Sequence, residues 1–200
     1  MENNGFVFQS TESICFPYIT PDKRITPVRH TNTFVFRNND GHTAVLYYQP
    51  VISGKNYSET RNNGIALRRI TTHSMKNPND FPGFPEGFYL PDYVLKMKTE
   101  TGEKYLIADA KFKPFPGRDI PDLVYKYAFS IHPASADAEV TGIAVFYGKG
   151  FSERAELKDL FDIYSDPRYP KFWITSLTES DGCPMESHME MFEDLIKKLL

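Results

Sequence analysis

Residues 91–113 read PDYVLKMKTETGEKYLIADAKFK, and this stretch decides how the chain is expected to fold. Residues 93–98 and 104–112 are rich in apolar and aromatic side chains, which favour β-strands. Between them lies the turn sequence Thr-Glu-Thr-Gly. Two strand-like runs around a short loop that contains glycine predict an antiparallel hairpin.

The turn also fixes which residues face each other across the hairpin. If Glu100 and Thr101 are the two loop residues, paired positions sum to 201, and Asp92 lies directly opposite Asp109. A three-residue loop with a glycine bulge would shift the register by one residue and still leave the two carboxylates as neighbours. Lys111 follows Asp109 by two positions, so both side chains leave the same face of the strand.

Two carboxylates this close need a partner of opposite charge. Cross-strand neighbours lie about 5 Å apart, where Asp92 and Asp109 would repel each other unless a cation intervened. Mg²⁺ prefers carboxylate oxygens and keeps water ligands for chemistry, and it can neutralise the charge that builds on a phosphodiester. Lys111 is then expected to orient the attacking water or to stabilise the transition state. The backbone carbonyl of Ala110 is a candidate further ligand.

The pattern of Pro-Asp followed by Asp-x-Lys is weak by itself, since at average residue usage about one chain in ten of this size would contain it by chance. The alternative is an exposed hairpin in which Asp109 and Lys111 form an ordinary surface pair. The apolar residues 105–108 favour a functional site, because a charge at the end of a buried strand is costly without a purpose.

The rest of the chain predicts an α/β domain with a mixed sheet, because strand-like and helix-like runs alternate. Residues 5–37 resemble short strands and turns, and residues 53–90 resemble a long loop with little periodicity. An Asp-Gly turn at residues 40–41 predicts a second hairpin. The expected strands are 34–36, 44–48, 140–147 and 172–177, and the expected helices are 119–131, 153–164 and 186–200.

Composition bounds the class of protein. The 200 residues suit one domain, and 40% hydrophobic residues suffice for a core. The formal charge of −3 gives no global basic field, so a nucleic acid would have to be held by a local patch. Cys15 and Cys183 have no paired spacing, which disfavours a disulfide scaffold or zinc cluster and fits a reducing cytoplasm. No apolar run is long enough for a signal peptide or membrane helix.

Four basic residues near the hairpin are candidate nucleic-acid contacts. Arg68 and Arg69 belong to a basic stretch before it, and Lys113 and Arg118 follow its second strand. Nucleic-acid affinity comes largely from such phosphate contacts. For the stretch before the hairpin, a solvated loop explains the charges equally well. For Lys113 and Arg118 the alternative is ordinary surface charge.

Residues 90–95 and 106–113 resemble the active-site hairpin of the PD-(D/E)XK nucleases. Residues 122–128 are similar to the helix that follows it in the nuclease subunits of McrBC-like and LlaJI-like restriction systems, where Lys126 occupies the place of a Gln or Lys that projects towards the active site. The resemblance spans residues 42–200 and leaves residues 1–41 as an N-terminal β-rich extension. It implies a restriction-endonuclease-like core, a mixed central sheet flanked by helices.

The resemblance also implies an activity, namely that of a Mg²⁺-dependent endonuclease that cuts DNA in a restriction or antiviral defence system, with Mn²⁺ able to substitute. Asp92, Asp109, Lys111 and Lys126 would be catalytic, and the metal ligands would be the two aspartates and Ala110. The chain has no phosphate-binding loop of the GxxxxGK[ST] type, so an NTP-driven motor would be a separate subunit. A homodimer is also compatible, and a cytoplasmic location is expected.

One feature departs from this family. Its members usually supply a further acidic residue from a helix ahead of the first core strand, and residues 1–41 contain no such helix pattern. Glu12 and Glu59 are the nearest acidic candidates. The departure supports an alternative, a catalytically weak or inactive nuclease-fold module that binds nucleic acid or a partner protein. A chain that is a fragment lacking that helix is equally compatible. The residues do not distinguish DNA from RNA, and they do not give a target sequence.

Overall fold

The hairpin around Glu100 and Thr101 lies at the centre of the structure, a computed structural model that describes residues 5–19, 25–53, 65–70, 88–114, 120–149 and 170–176. Strand β7 (Tyr93–Thr99) pairs with β8 (Gly102–Pro114) in antiparallel register, from Tyr93 opposite Ala108 to Thr99 opposite Gly102. Every pair sums to 201, so the two-residue loop is confirmed. Extending the ladder by one residue places Asp92 opposite Asp109.

Seven strands form the main sheet, in the order β1-β2-β3-β7-β8-β10-β11. Strands β1 to β8 in this order are antiparallel neighbours, whereas β10 lies parallel to both β8 and β11. The mixed sheet predicted from the sequence is therefore confirmed. The remaining strands of this sheet are β1 (Val7–Ile19), β2 (Ile25–Arg37), β3 (Thr43–Tyr48), β10 (Ala138–Lys149) and β11 (Lys171–Ser176).

Short elements cover one face of the main sheet. Two small two-stranded sheets pair β4 with β6 and β5 with β9. Helix α1 runs from Ile120 to Val124 and continues as a π-helical segment, Tyr125–Phe129. The small-sheet strands are β4 (Ile52–Ser53), β5 (Leu67–Arg69), β6 (Phe88–Tyr89) and β9 (Ile131–Pro133).

Helical content is lower than expected in the part of the chain that the structure describes. The helix predicted over residues 119–131 ends at Phe129, because Ile131 begins β9 and pairs with Arg69. The helices predicted over 153–164 and 186–200 lie outside the described residues. No described helix has the length and apolar character needed to span a membrane.

The two faces of the sheet bury different apolar clusters. Side chains at every second position from Asp92 along β7 and from Asp109 along β8 share one face of the sheet. The apolar ones belong to the larger cluster, beneath the helix and the small sheets. The opposite face holds a smaller cluster around Leu95, Met97 and Leu106. Strand β8 is buried on both faces, which explains its unbroken apolar run before Asp109. The larger cluster includes Tyr47, Val94, Tyr105, Ile107, Tyr127, Ile143, Val145 and Phe172.

The N-terminal strands are longer than the sequence suggested. Strands β1 and β2 each contain 13 residues, where short strands and turns were expected. Pro17 and Pro27 face each other in a part of this ribbon that only β1 and β2 form, since β3 pairs with β2 only over Thr33–Arg37. Proline is tolerated in strands where its missing N–H is not needed by a further neighbour. Through β2 these strands belong to the same sheet as the hairpin.

A polar network fastens the middle of the β7–β8 hairpin. The Lys96 ammonium lies 2.7 Å from one carboxylate oxygen of Glu103, and the Tyr105 hydroxyl donates a 2.9 Å hydrogen bond to the other. Burial raises the pKa of Glu103, but these two hydrogen bonds and the lysine charges outweigh it, so the pKa lies below its ordinary value. The ionised form of Glu103 therefore stabilises the fold.

We expect Glu103→Gln to lower the free energy of unfolding at pH 7 by about 0.5–1 kcal/mol, a modest value because solvent partly screens the pair. A carboxyl whose pKa is depressed in the folded protein stabilises it above the unfolded-state pKa, and this contribution disappears as the pH falls through the folded-state value. Urea unfolding of both proteins between pH 7 and 3 should show their difference shrinking with acidification. Glu100→Gln, an exposed change in the neighbouring turn, should show no such trend.

Candidate active site

Asp92 is held by backbone groups on both sides. Its Oδ2 accepts a 2.6 Å hydrogen bond from the Ala110 amide in β8. Its own carbonyl accepts a 2.7 Å hydrogen bond from the Gln49 amide, just after β3. Gln49 adopts a φ of 47°, a left-handed conformation that non-glycine residues rarely use. Asp92 is thus fixed between its two neighbouring strands although it lies one residue outside the β7 ladder.

Asp109 is a buried carboxylate at the end of an apolar strand. The residue is 3% exposed, and its Oδ2 forms an ion pair with the Lys111 ammonium. The Lys111 side chain is 26% exposed, so the pair lies between core and solvent. A buried charge is costly unless it is paired, and Lys111 supplies that pairing.

Lys126 approaches the same two carboxylates from the π-helical segment. Burial lowers the pKa of Lys126, while the charges of Asp109 and Asp92 act in the opposite direction and that of Lys111 reinforces the lowering. The Lys126 ammonium lies 4.5 Å from the centroid of the Tyr127 ring. The charges of both carboxylates thus act on Lys126 from the neighbouring hairpin. Short π-helical segments are frequent at functional sites.

Tyr127 is a site residue that the sequence analysis did not identify. It is fully buried, and burial, the charge of Asp109 and hydrogen bonding to that carboxylate raise the pKa of its phenol well above the ordinary value. In sequence it belongs to an apolar helical stripe with Leu123, Val124 and Ile131, which predicts a core residue. Its hydroxyl was the available signal, because a buried tyrosine hydroxyl usually has a polar partner.

The donor set can be compared with what a divalent metal requires. Within the described ranges, no group of three or more His, Cys, Asp or Glu side chains is placed to hold an ion. Asp92 and Asp109 provide two carboxylates. The N–H and C=O of one strand residue point to the same side, so the Ala110 carbonyl leaves β8 on the side where Asp92 accepts its amide. One or two carboxylates with water and phosphate oxygens suffice for Mg²⁺, so these residues fit that ion.

The two predicted arginines of β5 differ in their surroundings. Arg68 is exposed on β5, but Arg69 is 2% exposed and lies 5.0 Å from the centroid of the Tyr89 ring. The centroid of the same Tyr89 ring lies 5.4 Å from the Lys126 ammonium. Arg69 is therefore buried beside the same ring as Lys126, and Arg68 is the residue placed for surface contact.

The acidic candidates and the other basic candidates lie elsewhere. Glu12 is exposed on β1, three strand spacings from β7, and each spacing is about 4.8 Å. That distance is too great for Glu12 to share an ion with Asp92. Lys113 lies near the end of β8, after Lys111. Arg118 and Glu59 lie outside the described residues.

Comparisons of the chain with protein-family models, with curated proteins and with solved structures found no match.

Proposed function

We propose that this chain is a divalent-metal-dependent nuclease of the PD-(D/E)XK type, with a restriction-endonuclease-like core, that hydrolyses DNA phosphodiester bonds. One observation carries the proposal. The register of β7 and β8, extended by one residue, sets Asp92 opposite Asp109, where Asp92 accepts a hydrogen bond from the Ala110 amide and Asp109 pairs with Lys111. The charges of both carboxylates also raise the pKa of Lys126, against the larger lowering by burial. Two carboxylates and two ammonium groups beside the central strands β7 and β8 match the needs of metal-assisted phosphodiester hydrolysis.

In this proposal each residue has a separate task. Asp92, Asp109 and the Ala110 carbonyl would hold Mg²⁺ or Mn²⁺, which when bound acidifies a water and neutralises phosphate charge. Lys111, partly exposed and already beside Asp109, orients the attacking water. Lys126 lies deeper and stabilises the negative charge that develops on the phosphate oxygens. The buried position strengthens that interaction, because the local dielectric is lower than in water.

The wider setting follows only from the resemblance. A restriction or antiviral role would match the nuclease subunits that the hairpin and helix resemble. The chain would then act with a separate NTP-driven motor subunit or as a homodimer. The exposed Arg68 would contact the nucleic-acid backbone, where phosphate contacts supply most of the affinity. RNA is the alternative substrate.

A second candidate function is a nuclease-fold module that binds nucleic acid or a partner protein without cutting. It is favoured by one observation, the lack of a third acidic ligand among the described residues. The two candidates differ in their need for a metal, since a module without catalysis has no use for one. Metal binding therefore distinguishes them even when cleavage depends on another subunit.

We expect the purified protein to cut nucleic acid in Mg²⁺ or Mn²⁺ and not in EDTA. Plasmid, linear duplex DNA, single-stranded DNA and RNA are incubated in parallel, and Mn²⁺ binding is measured by calorimetry. Asp92→Asn should weaken both cleavage and Mn²⁺ binding, because it removes one of the two anionic ligands. Asp40→Asn, which changes an exposed turn residue, is the matched control and should leave both unchanged.

The results separate the alternatives. Mn²⁺ binding that is lost with Asp92→Asn supports the metal site, and cleavage of one substrate class identifies the nucleic acid. Wild-type protein that binds DNA but neither binds Mn²⁺ nor cuts would overturn the nuclease proposal in favour of the non-cutting module.

A further inference from the structure

Tyr127 presents a polar group to the site from inside the core. The residue is 0% exposed, and its hydroxyl has no aligned hydrogen-bond partner among the described residues. Asp109 Oδ2 is likewise buried without an aligned hydrogen-bond donor, although it forms an ion pair with Lys111. Both orphaned groups are buried, and burial, the charge of Asp109 and hydrogen bonding to it raise the pKa of the Tyr127 phenol. Leaving such groups unsatisfied in the interior is unfavourable.

The two groups are therefore neighbours without an aligned hydrogen bond between them. Lys111 forms an ion pair with the Asp109 carboxylate, and the flexible Lys111 side chain reaches solvent. If Lys111 turns towards a water molecule during hydrolysis, Asp109 loses its charged partner. Carboxylates that bind metals usually keep a further hydrogen bond from the protein, which sets their orientation.

We propose that Tyr127 is a positioning residue for Asp109, whose hydroxyl donates a hydrogen bond to that carboxylate and orients it for a divalent cation. The inference rests on the proposed function and assigns to Tyr127 a role at the same site.

The surroundings of Tyr127 suit such a role. Its ring lies 6.4 Å from that of Tyr89, centroid to centroid. The Lys126 ammonium lies 4.5 Å from the centroid of the Tyr127 ring. A tyrosine packed in this way has few accessible rotamers. A fixed donor can hold a carboxylate more accurately than the flexible Lys111 can.

Tyr127→Phe tests the proposal, because it removes one oxygen atom and keeps the ring. We expect Mn²⁺ to bind about 10-fold to 100-fold more weakly by calorimetry, the usual cost of losing such an outer hydrogen bond. In EDTA the melting temperature should stay the same or rise, since a poorly aligned buried hydroxyl is lost. Cleavage should recover towards the wild-type rate when Mn²⁺ is raised to saturation.

Tyr105→Phe is the matched control. Tyr105 is equally buried on the same face, but its hydroxyl bonds Glu103, away from the carboxylate pair. This variant should lower the melting temperature and leave Mn²⁺ affinity unchanged. Wild-type Mn²⁺ affinity in Tyr127→Phe, with or without a lower melting temperature, would overturn the positioning role. Failure of the wild-type protein to bind Mn²⁺ would instead overturn the proposed function on which the role rests.

Discussion

Replacing Asp109 with asparagine is expected to reduce cleavage by about 1000-fold or more, because an anionic ligand and its electrostatic contribution are lost together. The fold should persist. The change removes a buried charge, and the partner Lys111 is exposed enough to turn into solvent, so the free energy of unfolding in EDTA should change by about 1 kcal/mol or less. Initial rates and urea unfolding measure the two effects separately.

Metal linkage gives the same variant a second readout. A ligand that binds only the folded state at 100 times its Kd adds about 2.7 kcal/mol of stability. Wild-type protein should therefore melt at a higher temperature in excess Mn²⁺ than in EDTA, and Asp109→Asn should not. A variant that cuts at the parental rate, or that keeps the full Mn²⁺ stabilisation, would refute the central role of Asp109.

Replacing Gly102 with alanine should produce the largest loss of stability, about 3 kcal/mol or more, because backbone strain and overpacking add. Gly102 has a φ of 142°, and a side chain there would overlap the backbone carbonyl oxygen of Asp137, which accepts a hydrogen bond from the Glu103 amide. Both an unfavourable backbone conformation and a backbone clash must then be accommodated. Thermal and urea unfolding measure the effect.

Gly102→Ala should also slow cleavage, although Gly102 lies far from Asp92 and Asp109 along the hairpin. Gly102 closes the hairpin opposite Thr99, and that closure determines that Asp92 faces Asp109. A displacement of about 1 Å in a catalytic group can cost about 100-fold in rate, so we expect a loss of that size in the fraction that still folds. Gly41→Ala is the control: its φ is 83°, but a side chain would meet nothing within 4 Å. It should cost about 1 kcal/mol and leave activity unchanged. Equal losses in both variants would contradict the clash.

The hairpin was predictable because the residues that determine it lie close together in the sequence. The length of the turn and the period of two along each strand determine that Asp92 and Asp109 face each other, and the structure has that register. The apolar run before Asp109 likewise indicated a buried strand, and Asp109 is buried. These features depend on residues within about twenty positions of one another.

Features that depend on distant packing were not predictable in this way. The sequence identified Arg69 as basic, but not that β5 would pair with β9 and bury it beside Tyr89. Tyr127 was not identified from the sequence, and only the packing of the helix brings its hydroxyl close to the Asp109 carboxylate. The long pairing of β1 with β2 was obscured by prolines, which are excluded only where a third strand needs their N–H.

The position of β8 between an antiparallel and a parallel neighbour has a consequence for folding kinetics. Its pairing with β7 needs only the closure of a two-residue loop, which hairpins achieve within about 1–10 μs. Its pairing with β10 brings together segments more than thirty residues apart, such as Tyr105 and Val140, so it carries the larger loop-closure entropy. The two acidic groups therefore meet early in folding, and the slower parallel pairing then closes the core around them.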